Sequence, residues 1–318
     1  MDLMRLCLTA FHGGLLAFVV GFTAVPAAAQ GTFCARLTDP VLTAPGPERI
    51  EGTEPFVYRA TPTGVLRLHV LRPAAETSTG AAVIGISMGG WMSGNVANFM
   101  PNARLLAARG VTVIMPDIRS WCRDGANIVD QVVDSKAAVR WVRSHAVELG
   151  IDPARIAVAG GSSAGHLALS TAMFAEIDAA EERVTKSRPD LLLLFFPCVD
   201  PTSEIEQAVS EPAIGTRGAE VSPLLHLAAG LPPTIILQGT DDPLLDNVRE
   251  FCRGRANSAT PAIITNTPAP NTASCGRGRT TTRRASPRCS HSSNGADSLR
   301  RSGHAPRRAS QSSSHLIE

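Results

Sequence analysis

The chain has 318 residues, with 30 Lys/Arg against 28 Asp/Glu and a formal net charge of +2. That balance supplies no global drive toward nucleic acid or an acidic surface, and the length suffices for one sizeable α/β domain. The seven cysteines (Cys7, Cys34, Cys122, Cys198, Cys252, Cys275 and Cys289) lack the CxxC or Cys/His spacing of a zinc site.

Residues 1–29 read as an export signal. Arg5 precedes an apolar stretch from Leu15 to Val25, and Ala27 and Ala29 are the small residues that suit signal-peptidase cleavage before Gln30. Gly21 and Thr23 interrupt a core shorter than the ~20 residues of a membrane span, so no stable membrane anchor is expected. A periplasmic or secreted location permits disulfides, whose pairing the sequence leaves open.

From residue 30 to 253, strands and helices alternate. Strands are predicted at Val65–Leu71, Ala82–Ser87, Val111–Pro116, Ile156–Ala159, Leu191–Phe196 and Thr234–Leu237. The later ones are continuous apolar runs, as parallel strands covered on both faces require. Helical spacing predicts Asn102–Ala108, Ile128–Leu149 and His166–Ala175, with Val129, Val132, Val133, Val139 and Val142 recurring along the second. The alternation predicts an α/β fold: a mostly parallel central sheet with helices on both faces. Residues 254–318 are different in kind, rich in Arg, Ser, Thr, Ala, Pro and Gly, without lysine or apolar periodicity. Such a tail is expected to be disordered.

Three segments carry chemistry. Gly160-Gly161-Ser162-Ser163-Ala164-Gly165-His166 follows an apolar strand and opens a helix. That strand–turn–helix arrangement lifts a serine hydroxyl above a parallel sheet, and the tight turn demands small neighbours. Ser87-Met88-Gly89-Gly90-Trp91 also follows a strand and offers backbone N–H groups for an oxyanion hole, with Gly89 and Gly90 as donors. Ile235 to Pro243 is a strand ending in a turn that carries Asp241 and Asp242. Serine before aspartate is the order of the strand-based serine hydrolases, with a histidine to follow.

These segments, with Pro116-Asp117-Ile118-Arg119, Ala137 to Arg143, Gly150 to Ile156, Ser222-Pro223 and His226, make the chain resemble the α/β-hydrolase fold. The resemblance is to its exported acetyl-esterase or lipase-like branch, related to hormone-sensitive lipase, and spans Val57 to Cys252. It implies a carboxylic-ester hydrolase with a Ser–His–Asp triad, no cofactor and a small-molecule ester substrate with a short acyl group; with the charge balance and cysteine spacing above, no nucleic-acid partner and no metal are expected.

The literal G-x-S-x-G match points to Ser163, but the ungapped family register from Arg155 through Ala168 places the nucleophile at Ser162. Because a one-residue slip along a strand turns a side chain to the opposite face, register outweighs motif. Ser162 is therefore favoured, and Ser163 is the alternative nucleophile or an oxyanion N–H. Asp242 falls at the family's acid position, Asp241 is a solvated turn residue, and Asp246 is a lesser substitute. His166 and His226 match family positions outside the triad, and His69 and His145 read as strand and helix residues.

The triad histidine is missing. The family places it roughly 30 residues after the acid, where this chain reads Thr267-Pro268-Ala269-Pro270-Asn271-Thr272-Ala273. Reading each codon there from its third base permits Tyr-Ala-Gly-Ala-Glu-His-Gly-Phe, a family-like phrase. The tail thus reads as an out-of-frame translation after a single-base deletion near Cys252 to Ala256. Loss of the last sheet strand, the histidine loop and the terminal helix is then expected, with impaired activity. His291, His304 and His315 lie in the tail without packing signals. A catalytically silent binding protein with a basic, anion-binding tail is the alternative reading.

Overall fold

A computed structural model describes residues 34, 44, 46–227, 230–255 and 262–267. The chain divides into two compact units, Met1–Thr272 and Ala273–Glu318, and every described residue lies in the first. The export signal, the expected histidine loop beyond Thr267, the terminal helix and the remaining tail lie outside the described residues.

Eight strands form one sheet: β1 (Glu54–Thr61), β2 (Gly64–Leu71), β3 (Ala82–Gly85), β4 (Thr112–Pro116), β5 (Ile156–Gly161), β6 (Leu191–Phe195), β7 (Thr234–Gly239) and β8 (Ala262–Thr267). Their order is β1-β2-β4-β3-β5-β6-β7-β8. The first two pairings are antiparallel, and every pairing from β4 to β8 is parallel. The helices are α1 (Met100–Ala107), α2 (Ile128–Ser144), α3 (Ser163–Ser170), α4 (Glu204–Ile214) and α5 (Leu245–Arg255), joined by single helical turns at Trp121–Asp124 and Ala146–Leu149.

Strand alternation sorts the core into two layers. Ile84, Ile114 and Val158 pack with Val132 and Val139 of α2 and Leu167 of α3. Their neighbours Val83, Val113 and Ala157 pack on the other face with Met100 and Ala103 of α1. Helices therefore cover both faces, and the buried apolar runs of β3 to β6 follow from that.

Differences from the expected elements have local causes. The sheet continues past residue 253, because Ala262–Thr267 pairs in parallel with β7 from Thr234↔Ala262 to Gly239↔Thr267. Loss of the last strand is thereby corrected. Ile263, Ile264, Thr265 and Thr267 are β-branched and suit a strand, and without them β7 would present an unpaired edge. β1 escaped the sequence reading because it is an edge strand of mixed polarity, EPFVYRAT. The helix expected over Ile128–Leu149 starts at a capping box between Asn127 and Asp130 but stops at Ser144. There the His145 ring stacks on Trp141 at 3.9 Å and its Nδ1 lies 2.8 Å from the Trp141 carbonyl, competing with the helical ladder.

Two ties hold the segments around the sheet. A disulfide joins Cys34 to Cys122, a pairing that the sequence left open. Lys136 of α2 is buried, with Nζ 2.8 Å from Asp178 Oδ2 and donating to the Met173 and Phe174 carbonyls at 2.9 and 2.7 Å. Arg140 closes on the same carboxylate oxygen of Asp178.

Candidate active site

Three strand ends converge on one edge of the sheet. β3 leads into Ser87–Trp91, β5 into Ser162 and β7 into Asp242. Carboxyl ends of parallel strands are where such folds place their sites.

Ser162 has φ 53° and ψ −125°, a left-handed conformation that a non-glycine residue adopts at a cost of about 1–3 kcal/mol. Its N–H donates to the Phe195 carbonyl at 3.0 Å, and its own carbonyl accepts from His166 and Cys198 N–H groups, both at 3.1 Å. Gly160 is obligatory beneath the turn, because a Cβ there would strike the Ala164 carbonyl. Ser162 faces a cavity of about 430 Å³ walled by Ser87, Met88, Phe99, Phe195 and Phe196, with Asn98 and Asn102 also lining it. Ser163 begins α3 wholly buried, its Oγ without a partner among the described residues and away from the cavity. Of the two adjacent serines, Ser162 is the one that lines the cavity.

The glycine segment differs from expectation. Gly89 N–H donates to the Ser93 carbonyl at 2.8 Å, closing a tight turn, so it is not available to an oxyanion as the chain stands. Gly90 N–H has no partner among the described residues. Gly90 also needs to be glycine: φ is 57°, and a Cβ would come within 2.8 Å of Ser210 Oγ on α4. The donors left open are Gly90 and Ser163, while Ser87 and Met88 form the cavity wall.

Asp242 is half-buried. Its Oδ1 accepts the Leu244 N–H at 2.8 Å, and its carbonyl accepts the Leu245 N–H at 3.0 Å. That anchors the carboxyl at the start of α5 and leaves Oδ2 without a partner among the described residues. Asp241 is exposed, and Asp246 pairs with Arg249 at 3.2 Å.

No described histidine lines the Ser162 cavity. His226 is exposed, its Nε2 2.8 Å from the Ala219 carbonyl; His69 is buried on β2. His166 is wholly buried, accepting the Trp91 indole N–H on Nδ1 at 3.2 Å and donating from Nε2 to the Val221 carbonyl at 2.7 Å. The expected base position beyond Thr267 is outside the described residues.

Burial lowers the His166 pKa from 6.5 to about 4, with the Val221 carbonyl opposing. Between those values the unfolded chain binds more protons than the folded one. This group's stabilisation is thus complete above pH 6.5 and is lost as pH falls through 4. The gap corresponds to about 3 kcal/mol. Urea unfolding at pH 7 and pH 4 is expected to show a stability loss for wild type that His166→Asn lacks by about that amount; parallel pH curves would contradict it.

The cavity walls Phe99, Asn98, Asn102, Phe195 and Phe196 escaped the sequence reading. No local sequence pattern marked them; Phe196 turns into the cavity wall at φ 37° immediately after β6.

The BD-FAE family matches residues 68–192. Thermogutta terrifontis esterase 2 in its apo form is 33% identical with a TM-score of 0.64, covering 71% of this chain and 86% of that one. The same esterase phosphorylated by paraoxon gives 33% and 0.62, over 69% and 84%. The probable carboxylic ester hydrolase LipM of Mycobacterium tuberculosis is 28% identical over 187 residues, 53% of this chain and 43% of LipM. The carboxylesterase NlhH of Mycobacterium tuberculosis is 38% identical over 87 residues, 27% of each. The chain thus matches less than half the length of these curated relatives. The fold defines an α/β-hydrolase, and with these likenesses the chain belongs to the α/β-hydrolase esterase/lipase family.

Proposed function

We propose that this protein is an exported serine esterase lineage member that cleaves small carboxylic esters through an acyl-enzyme at Ser162. The observation that carries this reading is the strained, non-glycine conformation of Ser162 at the carboxyl end of β5, above a cavity of about 430 Å³. Strain of this kind persists where the surrounding structure enforces it and clusters at active sites. The esterase relatives support the same chemistry, and phosphorylation of one of them by paraoxon fits a reactive serine.

Ser162 Oγ would attack the ester carbonyl, and the N–H groups of Gly90 and Ser163 would take the developing oxyanion. Asp242 would use its open Oδ2 to orient a histidine and stabilise the imidazolium. Water would then hydrolyse the acyl-enzyme. The cavity's aromatic walls favour an apolar acyl or alcohol group of modest size.

A serine hydroxyl needs a base, and none of the described histidines lines the Ser162 cavity. The proposed single-base deletion near Cys252 to Ala256 accounts for this: the chain as translated is impaired, and a frame-restored chain regains the histidine. The Cys34–Cys122 disulfide supports export, because such bonds persist in oxidising compartments.

A fluorophosphonate and p-nitrophenyl acetate test the reading. Ser162 should be the labelled residue in both chains, and turnover should rise at least about 10³-fold on restoring the frame. Absence of label from Ser162 in the restored chain would overturn the esterase assignment. Equal turnover by the two chains would overturn the account of the missing base.

A further inference from the structure

His166 is not needed for the chemistry just described, yet it connects two of its parts. It lies on α3, and its backbone N–H holds the Ser162 carbonyl at 3.1 Å. Its side chain reaches the segment that carries Gly90. Trp91, the next residue, is wholly buried at φ 56° and donates its indole N–H to His166 Nδ1 at 3.2 Å, ring edge against ring face at 5.4 Å and 78°.

The two hydrogen bonds define the imidazole. Nδ1 faces an N–H donor and must carry the lone pair, so Nε2 carries the proton that Val221 accepts. A second proton on Nδ1 would meet the Trp91 N–H head-on. Ser170 Oγ, the other polar neighbour, donates to the His166 backbone carbonyl at 2.8 Å and lies 3.4 Å from Nε2 beside the shorter Val221 bond, and none of these neighbours titrates in the acid-to-neutral range.

Trp91 is also held from behind. Its carbonyl accepts Gln131 Nε2 of α2 at 2.8 Å and the Trp121 N–H at 3.1 Å. The backbone of the glycine segment is therefore fixed to α2, while its indole is fixed to the helix that begins at the nucleophile. We propose that His166 is a positioning residue: acting through Trp91, it sets the Gly90 N–H relative to Ser162. The inference rests on Ser162 being the nucleophile. It adds that the donor's placement depends on a neutral imidazole four residues along α3.

The test uses the full chain in its frame-restored form as parent and the kinetics of Ser162 labelling by a fluorophosphonate, with the maximal rate separated from the half-saturating concentration. His166→Leu removes both hydrogen bonds and should lower the maximal rate by roughly 10- to 100-fold, leaving half-saturation little changed. His166→Asn keeps an acceptor near the Nδ1 position and should recover most of that rate while losing the Val221 bond. Trp91→Phe removes the same contact from the other side and should not add to the His166→Leu loss.

The indole N–H resonance of Trp91, one of three tryptophans, should shift in His166→Leu and return toward wild type in His166→Asn. If His166→Leu does not fold, His166→Asn and Trp91→Phe decide the matter alone. Unlabelled Ser162 in the frame-restored parent defeats the nucleophile reading and this inference with it. A labelled parent with unchanged maximal rates in the variants defeats the inference alone, as does a fall in rate that His166→Asn does not rescue.

Discussion

Ser162→Ala is expected to abolish fluorophosphonate labelling and, in a frame-restored chain, to cut ester turnover by at least about 10³-fold. Ser163→Ala should change both only slightly. The contrast follows from position. Ser162 faces the cavity, whereas Ser163 Oγ is sealed in the start of α3 without a hydrogen-bond partner among the described residues. Alanine at 163 keeps the backbone N–H proposed for the oxyanion and removes a buried, unsatisfied hydroxyl, a change that is neutral or stabilising. Ser162→Gly adds an independent readout. It relieves the φ 53° strain and should raise stability by about 1–2 kcal/mol while remaining unlabelled. Label retained in Ser162→Ala but lost in Ser163→Ala would reverse the assignment.

Asp178→Ala is expected to be the most damaging substitution distant from the site, costing about 3–5 kcal/mol in urea unfolding. Lys136 is 1% exposed, and its ammonium is neutralised by Asp178 at 2.8 Å. Burial already lowers its pKa against the opposing pull of Asp178. Removing that carboxylate strands a buried cation, while Arg140 keeps Glu182 at 3.7 Å. Lys136→Met replaces the cation with apolar volume and leaves Asp178 paired with Arg140, so its cost should be smaller. The double variant should cost less than the two singles together, because the stranded ammonium is gone. A loss below about 1 kcal/mol for Asp178→Ala would mean that the clasp contributes little to holding residues 171–178 against α2.

Much of the fold was legible in the sequence, because parallel strands buried on both faces must be continuous apolar runs. Ile156–Ala159 and Leu191–Phe196 announce themselves in this way. β1 did not, since an edge strand needs no such run, and β8 was hidden in a segment whose composition argued for disorder. Ser162 was reached by register, which counts residues along a strand and so knows which face each side chain takes. The two candidate glycine donors were legible only as a group. Gly89 and Gly90 look equivalent in sequence, and only the turn closed by Ser93 separates the engaged N–H from the open one.

By itself the sequence determined the class of fold, the strand–turn–helix that presents Ser162 and the place of Asp242 in the turn after β7. Those features depend on local spacing, which the chain carries without folding. Only the tertiary structure decided that Cys34 pairs with Cys122, that Lys136 is buried on Asp178, that Phe99, Phe195 and Phe196 wall one cavity, and that His166 holds Trp91. Each of these joins residues far apart in the chain. Partners at such separations are chosen by packing and by the need to satisfy buried polar groups, and no local pattern encodes that choice.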